Sequence, residues 1–120
     1  MKVLIVEDNQ RMRQEVKFCL REIAEEIGEC EDGAEALAAY TTLQPDWVLM
    51  DLEMRYVDGI TASRQIIAAF PTARICILTN HNDAFLREAA QQAGARKYVL
   101  KEDLNQLANL LCELSEQEQT

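Results

Sequence analysis

Hydrophobic residues recur along the chain with two alternating spacings, and each spacing predicts a different kind of element. Short continuous apolar runs rich in Val, Ile and Leu are typical of strands in a parallel sheet, whereas apolar residues three and four positions apart are typical of helices. The runs that predict strands are residues 2–6, 27–30, 46–50, 74–78 and 96–100. The helical spacing covers residues 9–26, 32–43, 60–70, 83–94 and 103–114.

Residues that commonly start or stop helices lie at the borders of these segments. Asp32 and Glu35 have the spacing of a capping box at the start of the second helix. Pro45 and Pro71 follow the second and third helices, and Gly94 is a favoured C-terminal stop for the fourth. The borders therefore agree with the periodicity.

Five strands that alternate with five helices predict an α/β protein with a parallel sheet covered on both faces. Right-handed crossovers leave few topologies, chiefly the flavodoxin-like doubly wound sheet with strand order 2-1-3-4-5. A TIM barrel would need about 250 residues, and this chain has 120. We predict one domain over residues 1–115, followed by a tail or clipped linker at 116–120.

Charge and hydropathy narrow the functional classes. The chain has 21 acidic residues against 12 basic ones, a net charge of −9, and such a surface repels nucleic-acid backbones. We therefore expect no nucleic acid to bind to this segment itself. Because no apolar run is long enough to cross a bilayer and no cleavable signal is recognisable, we expect a cytoplasmic protein without a membrane partner.

Polar residues follow four of the predicted strands where each strand ends. Glu7 and Asp8 follow the first strand, Asp51 the third, Thr79 the fourth and Lys101 the fifth. The carboxyl ends of parallel strands meet at one edge of the sheet, and ligands bind there at the point where the winding reverses, between strands 1 and 3. We expect three carboxylates, a hydroxyl and an ammonium group to converge on one crevice.

Carboxylates that crowd together repel each other by about 3 kcal/mol at about 5 Å, so the cluster must take up a proton or bind a cation. Few oxygen ligands on one side suit Mg²⁺, which keeps several waters and leaves room for a phosphate. With Thr79 and Lys101 nearby, the site favours phosphoryl chemistry. No nucleotide-binding loop is present, so the phosphoryl group must come from a smaller donor or another protein, and Asp51 is the best acceptor.

The chain resembles the receiver domain of two-component response regulators over essentially its whole length. The matching motifs are VLIVEDN, VLMDLEM with a following DG, ILT and GARKYVLK. The resemblance implies that Asp51 accepts a phosphoryl group from a histidine of a sensor kinase. It also implies that Mg²⁺ is held by four residues: Glu7, Asp8, Asp51 and the backbone carbonyl of Glu53.

The same resemblance implies a switch. Thr79 would bond one phosphoryl oxygen and shift when it arrives, Lys101 would pair with another, and Tyr98 would rotate inward as Thr79 moves. The output surface would then be the fourth helix, the fifth strand and the fifth helix. An alternative for Tyr98 is an aromatic on an edge strand with its tip in water.

Four residues are candidates for tuning these kinetics. Glu53 and His81 would line the path of hydrolytic water, although His81 is also compatible with a plain loop residue. Asn80 stands where the family commonly has a small residue, and its bulk restricts access to the acceptor. Arg55 replaces a proline that is usual in the family, which frees the loop backbone and places a cation near an acidic mouth.

Two other functional classes are compatible with this fold. A flavodoxin-type flavin carrier would need a hydroxyl-rich and Gly-rich first loop, whereas this chain has EDNQRM. A phosphorylation-independent interaction module would keep the fold without the chemistry. The segment from Thr79 onward resembles receivers of the LuxR/FixJ type, so we expect a DNA-binding domain elsewhere in the whole protein and control of transcription, with a stand-alone receiver as the alternative. Homodimerisation on phosphorylation is a separate hypothesis.

Overall fold

A computed structural model describes residues 1–54 and 57–112 of the chain. Its centre is a parallel five-stranded sheet with the order β2-β1-β3-β4-β5, which confirms the predicted flavodoxin-like topology. The strands are β1 (Lys2–Val6), β2 (Glu26–Cys30), β3 (Trp47–Asp51), β4 (Ile75–Thr79) and β5 (Lys97–Leu100). The predicted tail at 116–120 lies outside the described residues.

Helices cover both faces of this sheet. They are α1 (Gln10–Cys19), α2 (Ala36–Leu43), α3 (Gly59–Ala69), α4 (Ala84–Gln92) and α5, which is helical over 107–112 where the described residues end. Two 3₁₀ turns, Gly33–Glu35 and Lys101–Gln106, precede α2 and α5. Among these residues, no helix is long and apolar enough to cross a membrane.

Side-chain caps fix where the helices begin. Asn9, Asp58 and Asp83 each accept a hydrogen bond from the backbone N–H three residues later, at the starts of α1, α3 and α4. Gly94, just after α4, has a φ of 104°, the left-handed conformation that favours glycine at a helix end. This confirms the stop that the sequence predicted.

The predicted extent of α1 is wrong. The periodicity suggested a helix to about residue 26, but α1 ends at Cys19 and the chain turns before β2 starts at Glu26. Ile23 and Ala24 continue the helical spacing because they pack on the same core from the turn. Their N–H groups donate to the Leu20 carbonyl at 3.0 and 2.9 Å, which mimics one more helical turn.

The last helix also starts later than predicted. Residues Lys101–Gln106 form a 3₁₀ turn, and Asp103 breaks it with φ −104° and ψ 24°. Leu107 and Leu111 of the helix that follows are fully buried. Two strands extend one residue further than predicted, so that Asp51 and Thr79 are the last residues of their strands.

Two hydrophobic cores lie on opposite faces of the sheet because side chains alternate along each strand. Leu4 and Val6 of β1 face the core that α2, α3 and α4 cover, and Val3 and Ile5 face the core that α1 and α5 cover. The three central strands β1, β3 and β4 are almost wholly buried. Their carboxyl ends are therefore rigid platforms for the residues that follow.

Gly59 at the start of α3 lies directly against the carbonyl of Asp51. A Cβ atom at position 59 would overlap this backbone oxygen, and the Gly59 N–H donates to the Leu52 carbonyl at 3.2 Å. Because the obstacle is backbone, a side chain there cannot be accommodated without moving the end of β3. The absence of a side chain thus lets α3 approach the end of β3.

We predict that Gly59→Ala lowers the free energy of unfolding by about 2 kcal/mol, because the new methyl group must displace the backbone at Asp51. The matched control is Gly28→Ala, whose added Cβ meets the tip of the flexible Leu43 side chain at 2.9 Å. Urea unfolding followed by Trp47 fluorescence measures both variants. Equal losses in the two variants would contradict the packing described for Gly59.

Candidate functional site

Three carboxylates from β1 and β3 meet at the edge of the sheet where the strand order reverses. Carboxylate oxygens of Glu7, Asp8 and Asp51 lie within 4.8 Å of one another. Glu7 and Asp51 are buried, with 2% and 4% of their surfaces exposed, whereas Asp8 is exposed. The sequence predicted this convergence from the ends of the first and third strands, and the structure brings the carboxylates together.

Lys101 supplies a positive charge to the cluster. Its Nζ donates to Glu7 Oε1 at 2.7 Å and lies 3.4 Å from Asp51 Oδ1, and 12% of its side chain is exposed. Burial alone would lower the pKa of Lys101, but the two carboxylates outweigh it and raise the pKa. The ammonium group is therefore fully charged at neutral pH.

The single charge of Lys101 does not neutralise three ionised carboxylates. Burial raises the pKa of Glu7, and the neighbouring Asp51 raises it further. Burial also raises the pKa of Asp8, with Glu7 as the next cause. Both directions mean that the negative forms of these groups are disfavoured where they stand.

One carboxylate oxygen of Glu7 lacks the positive partner that a bound cation would supply. Glu7 Oε2 is buried and has no hydrogen-bond partner among the residues that the structure describes. Its acidic neighbours, Asp8 and Asp51, are acceptors when ionised and cannot satisfy it. A buried acceptor without a donor, beside two more carboxylates, fits a hard oxygen-binding cation such as Mg²⁺.

The cluster opens onto a cleft of about 700 Å³. Besides the three acids and Lys101, the cleft is lined by residues of the loops after β1 and β3, among them Asn9, Met54 and Asp58. Asp58 accepts hydrogen bonds from the N–H and hydroxyl of Thr61 and so is engaged as the cap of α3. At about 700 Å³ the cleft is large enough for a phosphoryl group beside the acids.

Thr79 and Tyr98 lie on β4 and β5, next to this site. Thr79 is buried, and its Oγ1 accepts a hydrogen bond from the N–H of His81 at 3.2 Å. The half-buried Tyr98 donates its hydroxyl to the His81 carbonyl at 2.6 Å, and the Arg87 guanidinium lies 4.5 Å from its ring centroid. Burial raises the pKa of Tyr98. Tyr98 is thus bound to the loop that follows Thr79.

Glu53 and His81 form a pair between the loops after β3 and β4. The His81 Nε2 is hydrogen-bonded to Glu53 Oε1, and the Glu53 N–H donates to Asp51 Oδ1 at 3.3 Å. Asn80 is exposed beside them. The remaining tuning candidate, Arg55, lies outside the described residues.

Sequence reasoning missed Arg13, whose guanidinium contacts the backbone of Glu7. Arg13 is buried on α1, and its Nη1 donates to the backbone carbonyl of Glu7 at 2.7 Å. A signal for it exists in the sequence, because Arg13 is a charged residue on the stripe that otherwise carries Val16 and Leu20. A charge on a buried helix face usually has a specific partner.

Comparison with known proteins identifies the family. Residues 3–111 match the family model of the response regulator receiver domain. Over 104 residues the chain is 38% identical to the uncharacterized transcriptional regulatory protein YhcZ of Bacillus subtilis (strain 168), a match that covers 85% of this chain and 49% of that protein. It is 34% identical over 101 residues to the chemotaxis protein CheY of Thermotoga maritima, covering 83% of this chain and 84% of CheY.

The solved structures agree. The crystal structure of the response regulator domain of Thermotoga maritima CheB superimposes with a TM-score of 0.83 at 28% identity, covering 98% of this chain and 94% of that one. The chain belongs to the response regulator receiver domains, the signalling modules of two-component systems. It spans about half the length of the first curated relatives it matches, which are transcriptional regulators.

The raised pKa of Glu7 predicts how Glu7→Gln changes stability with pH. The folded protein holds the Glu7 proton more tightly than the unfolded chain, so the Glu7 contribution to stability is present below the usual pKa of 4.5 and is lost as pH rises through the raised value. The stability of Glu7→Gln relative to wild type should therefore increase over the pH range above 4.5, the usual pKa of this carboxyl group.

Urea unfolding in Mg²⁺-free buffer across this range measures the difference. Glu88→Gln, on the exposed surface of α4, controls for loss of a carboxylate outside the cluster. A stability difference between Glu7→Gln and wild type that shrinks with rising pH would be incompatible with the raised pKa.

Proposed function

We propose that this domain accepts a phosphoryl group on Asp51 from a histidine of a sensor kinase and thereby switches an output surface. The observation that carries the proposal is the set of three carboxylates with oxygens within 4.8 Å, beside a buried Lys101 that contacts two of them. Membership of the receiver family supports the same reading.

The chain's own groups suit the transfer. An oxygen of Asp51 attacks phosphorus, the phosphorus–nitrogen bond to the donor histidine breaks, and that nitrogen keeps the electron pair. Lys101, already 3.4 Å from Asp51 Oδ1, pairs with a phosphoryl oxygen, and the Thr79 hydroxyl bonds another. Glu7, Asp8, Asp51 and the Glu53 carbonyl would hold Mg²⁺, which would supply positive charge for the phosphoryl oxygens.

Asp51 is the acceptor because the other two acids have different tasks. Glu7 is bound to Lys101 at 2.7 Å and has its free oxygen buried, which suits a metal ligand. Asp8 adds a second charge from the same turn. Asp51 ends a fully buried strand, so its position is fixed relative to both the metal ligands and Lys101.

The switch follows from the contacts of Thr79. When its hydroxyl turns to the phosphoryl group, the His81 N–H loses its present acceptor and the loop after β4 moves. Tyr98 is hydrogen-bonded to this loop through the His81 carbonyl and moves with it. The phosphoryl charge thus favours one of two arrangements, a population shift that changes the surface formed by α4, β5 and α5.

The wider setting is also part of the proposal. The domain works in the cytoplasm and is not a turnover enzyme, although it assists its own phosphorylation and dephosphorylation. Several of its relatives, YhcZ among them, are transcriptional regulators about twice as long as the matched segment, which supports a DNA-binding domain in the whole protein and control of transcription. Nucleic acid does not bind this segment itself, and homodimerisation on phosphorylation stays a prediction.

Mass spectrometry after treatment with a small phosphodonor and Mg²⁺ tests the acceptor. We expect one added phosphoryl group in the wild type and none in Asp51→Asn. The matched control is Asp58→Asn, which alters an aspartate of the same cleft but keeps a side chain able to cap α3. It should be labelled like the wild type.

An unchanged wild-type mass would favour the phosphorylation-independent interaction module instead. Labelling that persists in Asp51→Asn would move the acceptor to another residue. Omitting Mg²⁺ should abolish labelling, since the repulsion within the cluster then opposes the approach of a negative phosphoryl group.

We predict that the Glu53–His81 pair prolongs the lifetime of the phosphoryl group on Asp51. Because the pair joins the loops after β3 and β4 beside Asp51, we expect it to limit the access of water. Glu53→Ala or His81→Ala should each shorten the lifetime on the order of tenfold, as loss of one hydrogen bond allows. The double variant should add little, since both residues form one unit. Decay of the labelled mass over time measures this.

Glu88→Ala is the control for loss of a surface carboxylate. Additive effects of the two substitutions would argue that Glu53 and His81 act separately, and a longer lifetime in the single variants would refute the role of the pair in excluding water.

A further inference from the structure

The side chain of Arg13 is the most buried basic group of α1. Its side chain is 9% exposed, whereas Lys17, one turn later on the same helix, is 45% exposed. Both residues form ion pairs with Glu29 of β2, through Arg13 Nε at 3.2 Å and Lys17 Nζ at 3.2 Å. The shared partner makes these two residues a natural comparison.

Only Arg13 reaches further, toward the acid cluster. Its Nη1 donates to the carbonyl oxygen of Glu7 at 2.7 Å in a buried hydrogen bond, and its Nη2 lies 3.6 Å from Glu31 Oε1. The rigid guanidinium fork thus contacts three chain segments at once: the turn after β1, β2 and the residue after β2. A lysine ammonium at the end of a flexible stem cannot reproduce this geometry.

The Glu7 carbonyl belongs to the peptide unit that joins Glu7 to Asp8. The N–H of Glu7 donates to the Cys30 carbonyl at 3.0 Å, so both polar backbone groups of Glu7 are fixed. Holding this peptide plane sets the direction in which the two acidic side chains leave the backbone. A rotation of the plane would move the carboxylates relative to Asp51.

We infer that Arg13 is a positioning residue for the metal site: it holds the Glu7–Asp8 peptide so that both carboxylates face Asp51. This inference rests on the proposed function, because it concerns the Mg²⁺ site of that proposal. Arg13 contacts the backbone carbonyl of Glu7 and not its carboxylate, so it acts through the backbone. Mutation of residues that orient metal ligands commonly lowers metal affinity by about 10- to 100-fold.

Calorimetric titration with Mg²⁺ tests the inference in the absence of any phosphodonor. Arg13→Met removes the hydrogen bond to Glu7 and should weaken Mg²⁺ binding by about tenfold. The matched control is Lys17→Met, which removes the neighbouring ion pair to Glu29 but no contact to Glu7, and should change the affinity by less than about twofold. Arg13→Lys keeps the charge without the fork and should fall between wild type and Arg13→Met.

Urea unfolding of the same variants separates positioning from stability. A purely structural tie between α1 and β2 would lower the stability of Arg13→Met and leave its Mg²⁺ affinity unchanged, and that result in a folded variant overturns the inference. If Arg13→Met does not fold, Arg13→Lys decides, and wild-type affinity in Arg13→Lys contradicts the inference. Absence of Mg²⁺ binding in the wild type would instead refute the proposed function and this inference with it.

Discussion

The mutual repulsion of three carboxylates at one edge of the sheet is the constraint on which the rest of the site depends. At separations of up to 4.8 Å, each ionised pair costs about 3 kcal/mol at a protein-like dielectric. Lys101 offsets part of this cost through Glu7 and Asp51, but Glu7 Oε2 has no donor among the described residues. The folded domain holds this charge because the hydrophobic strands beneath it are buried on both faces. The negative charge that Lys101 does not neutralise favours the binding of a cation there.

The topology explains why these groups meet although they are far apart in sequence. In the order β2-β1-β3-β4-β5, β1 and β3 are neighbours, so the chain delivers Glu7 and Asp51 to adjacent positions. The register then places Leu78 opposite Asp51 and Leu100 opposite Thr79, which brings Lys101 to the same edge. Helix packing contributes as well, since α3 approaches the Asp51 carbonyl closely enough that only glycine fits at position 59. The site is therefore a property of strand order and register rather than of a local motif.

Strand ends could be predicted from the sequence because buried strands are continuous apolar runs. Asp51 and Lys101 directly follow such runs, so their convergence needed only the rule that parallel strands end at one edge. The end of α1 could not be predicted in this way, since Ile23 and Ala24 keep a helical spacing while they pack from a turn. The same core contact is made by two backbone conformations, and periodicity does not distinguish them.

Contacts between loops were also out of reach of the sequence. The pairing of Glu53 with His81 and the hydrogen bond from Tyr98 to the His81 carbonyl depend on where two loops run in space. Arg13 was different, because a lone charge on the buried stripe of α1 is visible in the sequence. Its partner is the backbone carbonyl of residue 7, which any residue type would provide, so the sequence does not indicate this contact. The positions of site residues could thus be predicted where strand order fixes them. They could not be predicted where the path of a loop or a backbone acceptor determines the contact.

The most direct test of the central claim is the position of a bound divalent ion. Crystals grown with Mn²⁺ in place of Mg²⁺ would give an anomalous diffraction signal at the metal. The cluster described above requires one strong peak between the Glu7–Asp8 turn and Asp51, with carboxylate oxygens about 2 Å away. A strong peak elsewhere, or no peak at this edge of the sheet in a saturated crystal, would contradict it.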